Sequence, residues 1–358
     1  MGLKILHTAD WHLDSPFARF SPEQQEFLMG EQRRIPGRIA DLVRKENCDL
    51  VLISGDIFDG TASRKSVALV RDALKACCVP VVITPGNHDY LTPGSPWLEE
   101  KWPENVHVFT GGLNSMVLPQ LNCRIYGAGY RAPECPGLLE NFKREGPERY
   151  HVAVLHGDPM RLSSPYCPIT AAQVRDSGLT YLALGHIHKA GSFRTPNTLC
   201  GWPGVPMGRG YDETREKGVY IVTLEERAEL RFVPLDTPRF YEIEVDTDIQ
   251  ELENVLPPAD NDSFYRVTLT GSGGEPLWKL KEYYRGMTNL EWIDNRTQKT
   301  DMWHRAGEDT LEGAYFRLLR EKLEQAAGDR EDLTEEARKV HLAAEISHKI
   351  LEGREVVL

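Results

Sequence analysis

Leu182-Ala183-Leu184-Gly185-His186-Ile187-His188 is a run of apolar residues closed by a glycine and two histidines one residue apart. It reads as the end of a buried strand. Alternation along extended chain would send His186 and His188 to the same side, where both imidazoles can approach one metal centre. Gly-His-x-His alone fits a solvated turn equally well, so its company in the chain decides between the two.

Upstream, four more strand-like runs end in polar clusters of the same kind. The first, over 5–9, runs into Asp10-Trp11-His12-Leu13-Asp14. Leu50-Val51-Leu52-Ile53, a continuous apolar run of the kind buried on both faces, ends at Ser54-Gly55-Asp56-Ile57-Phe58-Asp59. Residues 79–83 lead to Pro85-Gly86-Asn87-His88-Asp89, and 152–155 to His156-Gly157-Asp158. Between them, Ile35, Ile39, Leu42 and Val43 share a helical face, with Pro36 near the start of that helix or kinking it. Ser63 can cap a second helix that turns Val67, Val70 and Leu74 inward. Strands alternating with helices predict an α/β sheet covered on both faces. The polar clusters fall past the strands' C-terminal ends, where open α/β sheets place their sites.

Further strands are expected over 124–127, 181–184, 218–224 and 229–233. Thr237-Pro238 marks a boundary that divides the chain into a catalytic domain (1–236), a small α+β domain (237–298) and a linker with two C-terminal helices (299–358). In the small domain Tyr241, Ile243 and Val245 alternate, as do Tyr265, Val267 and Leu269, with helical segments over 248–255 and 275–284. The tail helices carry Leu311, Tyr315, Leu319 and Leu323, then Val340, Leu342, Ile346 and Ile350.

With 358 residues the chain is long enough for about two domains, and its 41% hydrophobic and 27% charged residues are ordinary for a globular protein. No apolar run approaches the roughly 20 residues of a membrane helix, and the N-terminus enters a strand without a leader pattern, so a cytoplasmic protein is expected. Seven cysteines without a Cys-x-x-Cys read as reduced thiols. The net charge of −12 argues against holding nucleic acid by bulk charge, but not against a nuclease whose carboxylates are offset by bound cations.

Five of the eleven histidines lie in the strand-end clusters, with three carboxylates and an asparagine that bear on the chemistry. They supply two metal sites. Asp56 can bridge two ions, Asp10, His12 and His188 completing one and Asn87, His156 and His186 the other. Mixed imidazole and oxygen ligation suits manganese, iron, zinc or cobalt better than magnesium. Two such ions activate a shared water and hold a phosphoryl group under attack. His88 can then protonate the leaving oxygen, with Asp59 holding its ring and favouring the imidazolium.

Asp-x-His, Gly-Asp-x-x-Asp, Gly-Asn-His-Asp, a lone His and Gly-His-x-His occur here in order, and together they resemble the calcineurin-like metallophosphoesterase family. Within it, His7-Thr8-Ala9-Asp10-Trp11-His12-Leu13, the Gly-Asp-Ile-Phe-Asp form of the second motif and Pro85-Gly86-Asn87-His88-Asp89 look like SbcD-type DNA repair nucleases. Asp14-Ser15-Pro16, the segment from Pro203 through Gly210, and Glu216-Lys217-Gly218 look most like the YhaO-type branch. The resemblance covers essentially 1–235 and, more loosely, the small domain. It implies a sandwich of two β-sheets flanked by helices, with the small domain as a cap that guides DNA. It also implies two divalent ions, manganese first among them, and C-terminal helices that bind an SbcC-like coiled-coil ATPase; a homodimer is among the assemblies it allows. The expected reaction is exonuclease and endonuclease hydrolysis of DNA in repair. A phosphodiesterase or phosphatase on small phosphoesters is the alternative, and an assembly subunit that recruits the ATPase is a second.

Two positions depart from the family pattern. Asp14 stands where many members have glycine and is expected to cap the turn to Pro16; Asp59 stands where some DNA-end nucleases have histidine. Arg209 and Arg215 in loops, and Arg266, Lys279, Lys281, Arg285, Arg296 and Lys299 on the small domain, are candidates for contact with DNA. Acids such as Glu275 and Glu282 make a solvated surface about equally consistent with that pattern. His7, His107 and His151 are expected to be satisfied structural residues.

Overall fold

The computed structural model describes residues 2–256, 262–296, 302–327 and 334–351. β1 (Leu3–Thr8), α1 (Pro22–Glu46), β2 (Leu50–Ile53), α2 (Arg64–Ala76), β3 (Val81–Ile83), α3 (Pro96–Glu99) and β4 (Val106–Val108) come first. β5 (Asn114–Leu118), β6 (Cys123–Gly127), β7 (Tyr150–His156), α4 (Ala171–Ser177), β8 (Tyr181–Gly185), β9 (Gly191–Arg194) and β10 (Leu199–Trp202) follow. β11 (Gly218–Leu224) and β12 (Ala228–Pro234) turn back to the first sheet, whose order is β12-β11-β1-β2-β3-β4. The second sheet runs β5-β6-β7-β8-β10-β9. Each has four parallel strands, β1 to β4 in one and β6, β7, β8 and β10 in the other.

The alternation of side chains builds three layers of core. Ile5, Leu50, Leu52 and Val82 of the first sheet pack with Ile125, Val152, Val154 and Ala183 of the second, which makes the sandwich. Their neighbours Leu6, Val51, Ile53 and Ile83 face outward onto Ile35, Ile39 and Val43 of α1 and Val67, Val70 and Leu74 of α2. On the far side, Leu155, Leu182 and Leu184 meet Val174 of α4. Strand β2 is therefore buried on both faces, which is why its four residues are all apolar. Helix α1 starts fourteen residues before Pro36, at a Ser21/Gln24 capping box, so Pro36 lies in its interior.

Ser63 caps α2 as expected, but Asp14 does not cap its own turn. Its carboxylate accepts from Ser63 N at 2.8 Å and Ser66 Oγ at 2.7 Å, so it secures the start of α2 across 49 residues of sequence.

The small sheet, β13 (Arg239–Asp246), β14 (Ser263–Thr270) and β15 (Leu290–Asp294), has that strand order, with the short helices α5 (Leu252–Val255) and α6 (Leu277–Tyr283) between strands. It begins beyond Thr237-Pro238, yet contacts group Met1–Val245, Leu252–Thr268 and Trp278–Ile293 into one unit. The reason is aromatic: Phe240 and Phe264 stack at 5.0 Å inside the core that also holds Phe17, Leu28 and Tyr211, so the strands of this sheet share a core with the catalytic region. Asp246–Glu251, Leu269–Leu277 and Asp294–Leu358 form the second unit. In its tail, α7 (Leu311–Ala327) and α8 (Glu335–Leu351) bury Phe316, Leu319, Ala337 and Ala344, while Leu311, Tyr315, Leu342 and Ile350 are exposed. On α7 Leu319 is buried as expected, but Phe316 takes the buried place expected of Tyr315, and Leu311 is exposed. The expected linker carries a 3-10 turn, His304–Gly307. All seven cysteines are free, and among the described residues no helix is long and apolar enough to cross a membrane.

The two sheets converge at Gly185, where a Cβ would fall inside the van der Waals surface of the Ser54 carbonyl oxygen and lie 3.0 Å from His156 Nδ1. Gly185→Ala should destabilise the protein by ~3 kcal/mol through this forced separation. An unchanged urea midpoint would show that the approach is not tight.

Candidate metal centre

Loops at five strand ends carry the candidate ligands, and the backbone there is unusual. Asp10, His12, Asp56 and His186 have φ of 55°, 46°, 54° and 91°, a left-handed region that side chains rarely adopt. Backbone bonds impose it: Asp10 N donates to Gly55 O and His12 N to Asp56 O, each at 3.0 Å. The Asp10 carboxylate accepts from His186 N at 3.0 and 3.1 Å, and Asp56 Oδ1 from His88 N at 2.9 Å. Asp89 ties two loops together by accepting from Ile57 N at 2.8 Å and Gly86 N at 2.7 Å, and burial pushes its carboxyl up to about 7.

His186 and His188 lie past the end of extended chain, so strand alternation does not set where their rings go. Strand β8 stops at Gly185, and the left-handed turn at His186 sends its ring to Asn87, with Nδ1 3.3 Å from Oδ1. His188 goes to His12 instead, the two Nε2 atoms lying 3.2 Å apart.

Three overlapping donor groups result: Asp10, His12 and His188; Asp10, Asp56 and His156; and His12, Asp56 and His88. Two donors on one ion at ~2.1 Å stand roughly 3.0–3.4 Å apart for tetrahedral to octahedral angles. The 3.2 Å between His12 and His188 and the 3.3 Å between His156 Nε2 and Asp56 Oδ2 match this, as does Asn87 Oδ1 at 3.3 Å from His186. Asn87 Oδ1 lies closer to His156 Nε2, at 2.8 Å. The donor chemistry and spacing fit divalent cations: Asp10, His12 and His188 form one donor group, Asp10, Asp56 and His156 another, and Asn87 Oδ1 lies between the rings of His156 and His186.

Electrostatics point the same way. Burial pushes the Asp10 carboxyl above its ordinary range, and Asp56 adds to the shift. Burial also acts to raise Asp56, but the imidazoles of His156 and His12 outweigh it and hold it low. Burial opposes a charge on His156, yet Asp56 and Asp10 beside it raise its ring to about 9. Burial lowers His186 to about 4, leaving a free lone pair. With burial lowering His12 and His186, the protonated ring of His156 alone does not balance two buried carboxylates, and cations can supply the remaining charge.

At the rim, His88 Nδ1 lies 2.8 Å from Asp59 Oδ1, and the ring is 41% exposed. The hydrogen bond from His88, aided by one from Ser15 Oγ at 2.5 Å, keeps Asp59 ionised; the same bond raises the His88 pKa. Arg209 is also here, with Nη1 3.9 Å from Asp59 Oδ2. Sequence reading overlooked Glu213, whose Oε1 is 2.7 Å from His188 Nδ1; the Arg209-x-x-x-Glu213 spacing in a glycine-rich loop was the available signal.

The remaining candidates lie elsewhere. Arg266 pairs with Glu242 and Glu291 at 3.3 and 3.2 Å and stacks over Tyr211, while Arg285 pairs with Glu282 at 2.7 Å. Arg296 pairs with Asp294, Arg215 is exposed, and Lys299 lies outside the described residues. His7 is a satisfied core residue, bonded to Tyr181 Oη at 2.7 Å and Ser54 Oγ at 2.9 Å, and burial lowers it to about 3. His107 packs edge-on to Phe109 in β4, and His151 meets Tyr126 from β7.

A family model described as calcineurin-like phosphoesterase matches residues 3–190. The chain is 33% identical over 237 residues to an uncharacterized metallophosphoesterase, YhaO, of Bacillus subtilis, covering 62% of this chain and 57% of that protein's length. It is 23% identical to the SbcD component of nuclease SbcCD from Staphylococcus epidermidis over 80% of this chain and 85% of that one. Against the SbcD component from Bacillus subtilis the identity is 24%, over 62% of this chain and 66% of that one.

Excess manganese should raise the thermal midpoint, since a ligand at 100 times its Kd adds about 2.7 kcal/mol of stability per site. Chelator should reverse the shift, and Asp56→Asn should largely abolish it. A manganese-dependent shift of full size in that variant would remove Asp56 from the bridging position.

Proposed function

Because the chain belongs to the calcineurin-like phosphoesterase family, a metal-dependent hydrolase of phosphoester bonds, we propose that it is a two-metal DNA nuclease. The observation that carries the chemistry is the His88–Asp59 pair, half in solvent at the rim of the donor cluster. What favours DNA is that the similarity to the SbcD component of a nuclease runs over 80% of this chain, past the residues of the family match.

Asp10, His12 and His188 would hold one ion, Asn87, His156 and His186 the other, and Asp56 both. Such ions, manganese in our reading, lower the pKa of water and withdraw charge from the phosphoryl oxygens. The protein's own part is to place a proton. Asp59 accepts from His88 Nδ1 and raises the His88 pKa, which favours the imidazolium, and it is in that doubly protonated form that Nε2 carries a proton for the departing sugar oxygen. Arg209, beside Asp59, sits where it can meet a non-bridging phosphate oxygen. Exposed Leu311, Tyr315, Leu318, Leu342 and Ile350 on α7 and α8 suit docking of an SbcC-like ATPase, and a chromosomal substrate would place the protein in the cytoplasm.

A small phosphoester is the second reading, favoured by the surface charge. Arg266 and Arg285 are paired with glutamates, and a net charge of −12 gives little attraction to a polyanion.

Manganese-dependent release of nucleotides from linear duplex DNA should fall at least ~100-fold in His88→Ala. Hydrolysis of a p-nitrophenyl diester, whose leaving group needs no proton, should fall far less. Turnover of the small ester with DNA left intact, even with the ATPase added, would decide for the second reading.

Because Asp59 raises the His88 pKa, the acid form persists to higher pH than in a free imidazole. Activity is retained below that pKa and lost above it, so Asp59→Asn should move the alkaline limb of the kcat profile to lower pH. An unmoved limb would free His88 from the role of acid.

A further inference from the structure

Glu213 lies in the loop between β10 and β11 and is only 6% exposed. The loop is shaped to place it: Glu213 N donates to Gly210 O at 3.0 Å, and a Cβ at Gly208 would come within 2.8 Å of Glu213 O. Both carboxylate oxygens are committed. Oε1 accepts from His188 Nδ1 at 2.7 Å and from Arg209 Nη2 at 2.9 Å, while Oε2 accepts from Arg209 N at 2.9 Å.

An ionised carboxylate has no proton to give, so a 2.7 Å contact requires that His188 Nδ1 carry the hydrogen. Nε2 then has the lone pair, and it is this atom that stands 3.2 Å from His12 Nε2. Arg209 Nη2 also approaches His188 Nδ1, at 3.1 Å. Were that contact to become the hydrogen bond, Nδ1 would be the acceptor and the proton would move to Nε2, the wrong tautomer for a ligand. By holding Arg209 through both oxygens, Glu213 decides between the two. Arg209 in turn reaches Asp59, the partner of His88.

We propose that Glu213 is a positioning residue that fixes His188 in the Nδ1-protonated tautomer for the first ion and, with the same carboxylate, sets Arg209 beside Asp59. One side chain thereby links occupancy of the ion position at Asp10, His12 and His188 to the guanidinium at the rim. The proposal rests on the two-ion reading of the site but not on DNA as the substrate.

The test is manganese titration of the full chain by calorimetry, with the His188 tautomer read from long-range proton–nitrogen spectra of the metal-free protein. Glu213→Gln keeps the shape and removes the obligatory acceptor. It should weaken one of two manganese sites by ~10–100-fold, leave the other unchanged, and bring Nε2-protonated His188 into the spectrum. Arg209→Ala keeps the carboxylate and should retain both sites while raising KM for a phosphodiester. The proposal is overturned if Glu213→Gln binds both ions as tightly as the unmodified chain with its tautomer unchanged. It is overturned equally if Arg209→Ala loses manganese as Glu213→Gln does, because the carboxylate would then act through the guanidinium. An unmodified chain that binds no manganese removes the two-ion reading and this proposal together. One that binds two ions but leaves DNA intact removes only the nuclease assignment.

Discussion

Two carboxylates, Asp10 and Asp56, are each 1% exposed and have ligand atoms within 4.8 Å of one another and of His156. Burying one unpaired anion is costly, and burying two side by side is worse. Nothing in the fold makes sense of this pair except positive charge delivered to the space between them. Protons on imidazoles provide part of it, as the raised His156 shows, but His12 and His186 are driven toward neutrality by burial. The left-handed backbone at Asp10, His12 and Asp56 and the close approach of Gly86 and Gly185 to neighbouring loops are what it takes to hold the anions so close. Such strain persists only where the surrounding structure determines it, and here three layers of apolar packing do.

Much of this was legible in the sequence because it rests on local pattern. Continuous apolar runs marked β2, β7 and β8, and the residues directly after each run are constrained by where the strand ends, so the polar clusters that gather at one end of the sheets could be located from order alone. What could not be read is what depends on contacts distant in sequence. Asp14 looked like a turn residue because its partners, Ser63 and Ser66, are some fifty positions away. Glu213 was one acid among many until His188, 25 residues upstream, was found against it. Strand alternation does not govern the rings of His186 and His188, because strand β8 ends at Gly185 and His186 takes a left-handed φ.

The small sheet shows the same limit from the side of packing. Alternation of Tyr241, Ile243 and Val245 identified a strand correctly, but periodicity cannot say whose core a strand joins. Phe240 and Phe264 join that of α1 and the first sheet, and Phe20 packs edge-on to Phe264 at 5.5 Å. In the tail helices, two adjacent aromatics, Tyr315 and Phe316, compete for the buried position. The hydroxyl of Tyr315 finds Ser347 at 2.9 Å, and Phe316, with no polar group to satisfy, goes inside.

The candidate donors come from both sheets: Asp10, His12, Asp56 and Asn87 follow strands of the first, while His156 ends a strand of the second and His186 and His188 follow another. An ion coordinated from both sides would therefore be a staple between the two halves of the sandwich, closing chain loops of well over a hundred residues. Staples of that span restrict the unfolded chain as a disulfide does, but they depend on metal supply rather than on oxidation. For a chain whose seven cysteines are all free, ions held there would also be its cross-links, so loss of metal would loosen the fold and silence the chemistry in the same event.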